Sequence, residues 1–148
     1  MSLKNLQKIG QLKDHEVVPA EIQRLLSAAH RSLSDSRVAE ISFESRFDAA
    51  YRAIMQAALA ALLANGFRPN TNKPGHHMTV LQTLPATIGL SNDRLVVLDA
   101  LRRKRNLTDY AGMEIDENSV LECINQAEFL SGQVRIWIKQ NRMELLGG

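Results

Sequence analysis

The chain has 148 residues, the size of one ordinary domain, with 45% hydrophobic, 23% charged and only 5% aromatic residues. This is the balance of a globular protein rather than a disordered one, and its wealth of Leu and Ala favours helix over strand. A formal charge of +2 gives no global field that would attract nucleic acid, so any basic surface must be local.

Cys123 is the single cysteine, which excludes an internal disulfide and points to a reducing, cytoplasmic setting. The polar N-terminal run MSLKNLQKIGQLKDHE lacks the apolar centre of a signal peptide. The most apolar stretch, Ala57 to Ala64, is too short to cross a bilayer, so no membrane association is expected. Neither repeats nor a long linker divide the sequence, and residues 1–148 read as one domain.

In chain order, a first helical region is expected near Leu3 to Lys13, with weak periodicity. Pro19 suits the first turn of a second helix, PAEIQRLLSAAHRSLSDS, in which Ile22, Leu25, Leu26, Ala29 and Leu33 form one apolar face. A third and longest helix is expected from about Val38 to Asn65. Its stripe runs through Phe43, Phe47, Ala50, Tyr51, Ile54, Ala58, Ala61 and Leu62. A second row of small residues, Ala49, Ala53, Ala57 and Ala60, would admit a neighbouring helix closely. Gly66 suits a left-handed cap and Pro69 prevents resumption. The segment RPNTNKPG is the longest loop, and a fourth helix should start near His76, with Pro85 bending or ending it. Ser91, Asn92 or Asp93 can cap a fifth helix that runs to about Tyr110 and stops at Gly112. A sixth begins after Asp116, with Val120, Ile124, Ala127, Val134 and Ile138 on one face. No window alternates with period two, so no strand is expected. The predicted fold is all-α, an antiparallel up-and-down bundle of about five to six helices.

Several chemistries are missing from the sequence. It has no glycine-rich phosphate loop, dinucleotide fingerprint, paired cysteines or HExxH, and neither a cofactor nor a metal is expected. Cys123 precedes Ile124 on an amphipathic helix and reads as a small core residue rather than a nucleophile. His76 and His77 are adjacent, so on a helix they point about 100° apart and are poorly placed to share a metal. Packing at the start of a helix is the simpler role for that pair. His15 and His30 have no recognisable ligand partner and read as surface or boundary residues.

The run LRRKRNLTDY is the one segment whose spacing suggests chemistry. Leu98 and Leu101 lie at core spacing, and the same line reaches Arg105, which should face inward or into a groove. Arg102, Asn106 and Tyr110 form an i, i+4, i+8 row beside it, while Arg103 and Lys104 turn to solvent. An arginine fork matches phosphate oxygens, and an amide and a phenol can add orienting hydrogen bonds. The same residues also fit a structural role, with Arg105 paired to Asp109 and Tyr110 closing the helix end. Spacing leaves both open.

Three segments in order, RFDAAYRAIMQAALAALLANGFRP, PGHH and LRRKRNLTDYAG, resemble the HEPN superfamily. The resemblance implies a compact helical bundle that dimerises, and commonly a metal-independent ribonuclease of toxin type made with a nucleotidyltransferase antitoxin partner. The superfamily's signature is Arg, a polar residue that is often Asn, then His four to six positions after the Arg. Arg105 and Asn106 match its first two positions; tyrosine stands at 110, and no histidine follows Arg105. The implied catalytic set is therefore Arg105, Asn106 and Tyr110, with Arg102 and Arg105 binding nucleotide or RNA phosphate. The departure matters, because histidine titrates near neutral pH whereas a tyrosine with a pKa near 10 is a poor general base. Either Tyr110 replaces the histidine in a specialised nuclease, or the patch binds a nucleotide or partner without catalysis. A non-catalytic dimerisation or interaction module is the rival from another class. A DNA-binding helix using RRKR is weaker, since those four residues spread around the helix.

Overall fold

The structure, a computed structural model, describes residues 2–147. Its helices are α1 (Leu3–Lys8), α2 (Pro19–Ser36), α3 (Phe43–Ala64), α4 (His76–Gln82), α5 (Leu84–Ile88), α6 (Asn92–Ala111) and α7 (Glu117–Asn141), followed by a 3₁₀ turn at Met143–Leu146. Among the described residues the fold is an all-α bundle of about six helices, α4 and α5 forming one helical arm broken only at Thr83. Pro85, in the first turn of α5, cannot donate a backbone hydrogen bond, and the arm resets there.

Local chemistry sets most boundaries. α2 begins at Pro19, and Ile22, Leu26, Ala29 and Leu33 are all buried along its inner face. α3 starts at Phe43 rather than near Val38 because Ser42 caps it, its hydroxyl accepting from the Ser45 amide at 3.1 Å. Phe43 itself is exposed, so the buried stripe begins one turn later, at Phe47. Ser91 and Asp116 cap α6 and α7 in the same way, and Gly112 ends α6 with a φ of +64°.

Helix α3 is the centre of the bundle and packs most extensively on α2 and α7. Hydrogen bonds give the helix directions. Arg46 Nε donates to the Ser36 carbonyl, so α2 and α3 are antiparallel. Arg94 meets Gln126 while Lys104 meets Ser119, so α6 and α7 are antiparallel. Cys123 lies against the Phe47 carbonyl and Arg142 against that of Ala64, so α3 and α7 run parallel across the core. Over its full 22 residues α3 is long and apolar enough to cross a membrane, a longer span than Ala57–Ala64 alone suggests. Of its most apolar window, 72% is buried inside the bundle, which is the signature of a central core helix.

Two features depart from the sequence-based expectation. The first helix ends at Lys8, and Gly10 with φ +81° turns the chain into a strand, β1 (Leu12–Asp14). β1 pairs antiparallel with β2 (Phe67–Pro69), matching Leu12 to Pro69 and Asp14 to Phe67. Three residues are too few to display a period of two, and the pairing partner lies more than fifty positions away. The sheet nevertheless positions the site: Asn70, just after β2, donates from its side chain to the Gly10 carbonyl at 2.9 Å and fixes the loop that leads to α4. The 3₁₀ turn was not expected either; it buries Leu145, whose carbonyl accepts from Gln23.

Candidate functional site

A cavity of about 460 Å³ opens where α3, α4 and α6 meet beside the loop after β2. α3 contributes Asp48, Tyr51, Arg52, Met55, Gln56 and Leu59, one continuous face at spacings of three and four. The start of α4 supplies His76, His77 and Val80; Pro69 and Thr71 close one side, and α6 adds Arg105. Met55, Leu59, Val80 and Pro69 make an apolar wall, whereas Arg52, Arg105 and the two histidines give the rim cationic and imidazole character.

Arg105 continues the buried line of Leu98 and Leu101 and is about 31% exposed in its side chain. Its Cζ lies 5.2 Å from the centre of the Tyr51 ring, within cation–π range. Two carboxylates flank it, Asp48 at 3.7 Å and Asp109 at 3.6 Å. Both separations exceed a hydrogen bond, so the guanidinium is neutralised at a distance and its N–H groups are left for a closer acceptor. The two acids also repel each other. For Asp48, burial outweighs the attraction of Arg105 and raises the carboxyl above its usual pKa, with Asp109 adding to the rise and Arg52 opposing it.

Arg102 is placed differently. Its Nε donates to Asp99 at 2.8 Å, Arg103 also reaches Asp99 at 3.0 Å, and Arg102 does not line the cavity. Asn106 is half-buried outside the cavity lining, and Tyr110 is 90% exposed near the end of α6. Of the four residues singled out on this helix, the structure therefore brings only Arg105 to the concave site. Lys104 turns away and donates to Ser119 at 2.7 Å, fastening α6 to α7.

The cavity's other polar groups come from elements that the motif does not include. Tyr51 is only 2% exposed, and its hydroxyl is fully buried without a hydrogen-bond partner among the described residues, although buried polar atoms almost always have one. Burial, only partly offset by the nearby Arg105 and Arg102 charges, pushes its pKa up to about 12, so the group stays a neutral O–H donor. The His77 ring lies 6.3 Å from that of Tyr51, and the His76 ring sits edge-on to His77 at 5.0 Å. Burial, reinforced by His76, Arg105 and Arg102, lowers the pKa of His77 and favours its neutral form. Tyr51 reads in the sequence as one more member of the core stripe, and the histidines as packing residues. The available signal was a phenol interrupting an alanine-rich row, followed by two imidazoles at one helix start. Cys123, by contrast, is fully buried with its thiol pushed up to about 12, which suits a core residue.

No protein-family model matches the chain, and no curated protein matches it with significant similarity.

Proposed function

We propose that the protein binds RNA through this cavity, one nucleotide unit occupying it, and that it acts in the cytoplasm as a HEPN-type, metal-independent ribonuclease. The observation that carries the binding reading is the Tyr51 hydroxyl, which among the described residues is buried and unpartnered beneath an arginine whose N–H groups have no short acceptor. Leaving such a hydroxyl unbonded costs about 1–3 kcal/mol, a cost that a ligand acceptor would remove. The cavity volume of about 460 Å³ lies within the range of small-molecule sites. Its apolar wall suits a nucleobase, while Arg105 and Arg52 at the rim suit the phosphate. RNA cleavage is the form of this reading that the HEPN resemblance supports, together with a homodimer and a nucleotidyltransferase antitoxin partner. In such a dimer, two Arg105 sites facing one cleft would concentrate the positive charge that the chain's total of +2 lacks.

The test is cleavage of a labelled single-stranded RNA in the presence of a metal chelator, comparing the wild type with Arg105→Ala. The expected loss is on the order of 100-fold or more, the usual effect of removing a preorganised donor to a phosphate-like transition state. Equal activity in the two proteins overturns the assignment of Arg105. One observation favours a non-catalytic interaction module instead: Leu107 and Tyr110, three residues apart, leave exposed apolar surface near the end of α6. That reading predicts that nucleotides and phosphate leave the melting temperature unchanged, whereas a ligand that binds the folded state must raise it.

A further inference from the structure

We propose that His77 and His76 are the proton-transfer pair of this cavity, so that the acid–base chemistry of RNA scission comes from the first turn of α4 rather than from α6. The inference rests on the RNA reading above and adds the residues that move protons.

The geometry is specific to the pair. Gly75, held at φ +76°, turns the loop into α4 so that two successive side chains enter one cavity. Successive helical residues normally diverge by about 100°, yet here both rings line the same space with centres 5.0 Å apart and planes at 84°. Two imidazoles in edge-to-face contact present two ring-nitrogen sets to one phosphodiester lying against them, so one can take a proton while the other gives one, which a single histidine cannot do in one step. Neither ring is tied down. The His15 ring is held by Glu21 at 3.0 Å, whereas among the described residues no hydrogen bond engages a ring nitrogen of His76 or His77.

The surroundings divide the roles. Around His77 in the cavity are His76 on its own helix, Asp48, Tyr51 and Arg52 from α3, and Arg105 from α6, while the charge of Arg102 acts from outside the lining. Burial and the cationic neighbours favour its neutral form, which is the form that accepts a proton. In the step, a ring nitrogen of His77 takes the proton of the ribose 2′-hydroxyl as O2′ forms its bond to phosphorus. The P–O5′ bond breaks with its electron pair on O5′, and protonated His76 delivers a proton to that oxygen. The products are a 2′,3′-cyclic phosphate and a 5′-hydroxyl. One proton is taken and one given, so nothing is oxidised or reduced. Arg105 and the Tyr51 hydroxyl hold the phosphate against the two rings.

The experiment uses a DNA oligonucleotide carrying one ribonucleotide, in the presence of chelator, with the all-DNA strand as an uncleavable binding probe. Wild type should cut only at the ribonucleotide and leave a cyclic phosphate end. His77→Asn and His76→Asn should each lose cleavage by roughly 100-fold or more. Both should still bind the all-DNA strand within a few-fold of wild type and unfold cooperatively, so that cleavage falls far more than binding, and His77→Asn should also lose the acidic limb of the pH–rate profile. His77→Gln is the second variant should the asparagine destabilise α4, and His15→Asn, whose ring is engaged by Glu21, should cut normally. Wild-type cleavage by the His77 variants overturns the proposal. So does Arg105-dependent binding of the probe without RNA cleavage, an outcome that leaves the binding reading standing. Absence of probe and RNA binding in the wild type overturns both together.

Discussion

Helix α3 divides the molecule into two regions built on different principles. It makes its most extensive contacts with α2 and α7, and thirteen of its 22 residues are buried, most of them alanines and leucines that let neighbours approach closely. Its other side, toward α4 and α6, contributes Asp48, Tyr51, Arg52, Met55 and Leu59 to an open cavity. Helix α6 across that cavity buries only Leu98 and Leu101 of its 20 residues. One helix thus serves as the pillar of the fold and the floor of the site. Stability is concentrated on one side of it, which leaves the other side free to hold polar groups that a packed core would not tolerate.

The contrast is broken most directly by truncation on each side. Ile54 is fully buried in the core cluster, and Ile54→Ala should destabilise by about 2–5 kcal/mol, lost hydrophobic transfer plus the cavity left behind. Arg105→Ala removes two long, half-exposed ion pairs and should change stability by less than about 1 kcal/mol. Urea unfolding of both variants checks the division. If Arg105→Ala proves as damaging as Ile54→Ala, Arg105 is a structural element and the two-region picture fails.

A finer test lies at Tyr51, where the regions meet. Tyr51→Phe keeps the ring that packs beneath Arg105 and beside His77 but deletes the buried hydroxyl. Because that oxygen has no partner among the described residues, its removal should stabilise the protein by about 1 kcal/mol, seen as a higher melting temperature. The same variant should bind nucleotide more weakly. A lowered melting temperature would mean that the hydroxyl is satisfied within the fold, and the strongest sign of a ligand would disappear.

These two regions were unequally legible in the sequence. The pillar was clear: Ala49, Ala53, Ala57 and Ala60 repeat at helical spacing, and all four are buried. The caps at Ser91, Asp116 and Gly112 were readable because each depends on a residue within a few positions of the helix end. The site was legible only where it continued a helical line, from Leu98 through Leu101 to Arg105. Asn106 and Tyr110 shared its helix but not its cavity, since helical spacing records a residue's face and not where the neighbouring helix ends. Tyr110, at 90% exposure, lies beyond the reach of α3 and α4. The contributions of Tyr51 and His77 depend on α3 and α4 meeting in space, and no local spacing encodes that. The β1–β2 pair was hidden for the same reason, its strands being short and distant in sequence.

The smallest expected effect reads the electrostatics of the cavity through pH. His77 has a folded-state pKa below its unfolded value near 6.5. Between those two values the unfolded chain binds more protons than the native one, so the His77 contribution to stability rises with pH there. It is present in full above about pH 6.5 and is lost as pH falls through the lowered folded value. The difference in unfolding free energy between wild type and His77→Gln should therefore shrink on acidification through this window. Asp48, raised by burial, has the opposite sign: its protonated form is favoured by folding, and its contribution appears on the acid side of the carboxylate range. The two are thus separated along the pH axis. Saturating inorganic phosphate should move the His77 midpoint upward, because an anion beside Arg105 counters the burial and the cationic neighbours that together favour the neutral ring. Following the His77 ring protons by NMR in the presence and absence of phosphate measures this directly. An unmoved midpoint would place the bound anion outside the cavity, and with it the function assigned to this side of α3.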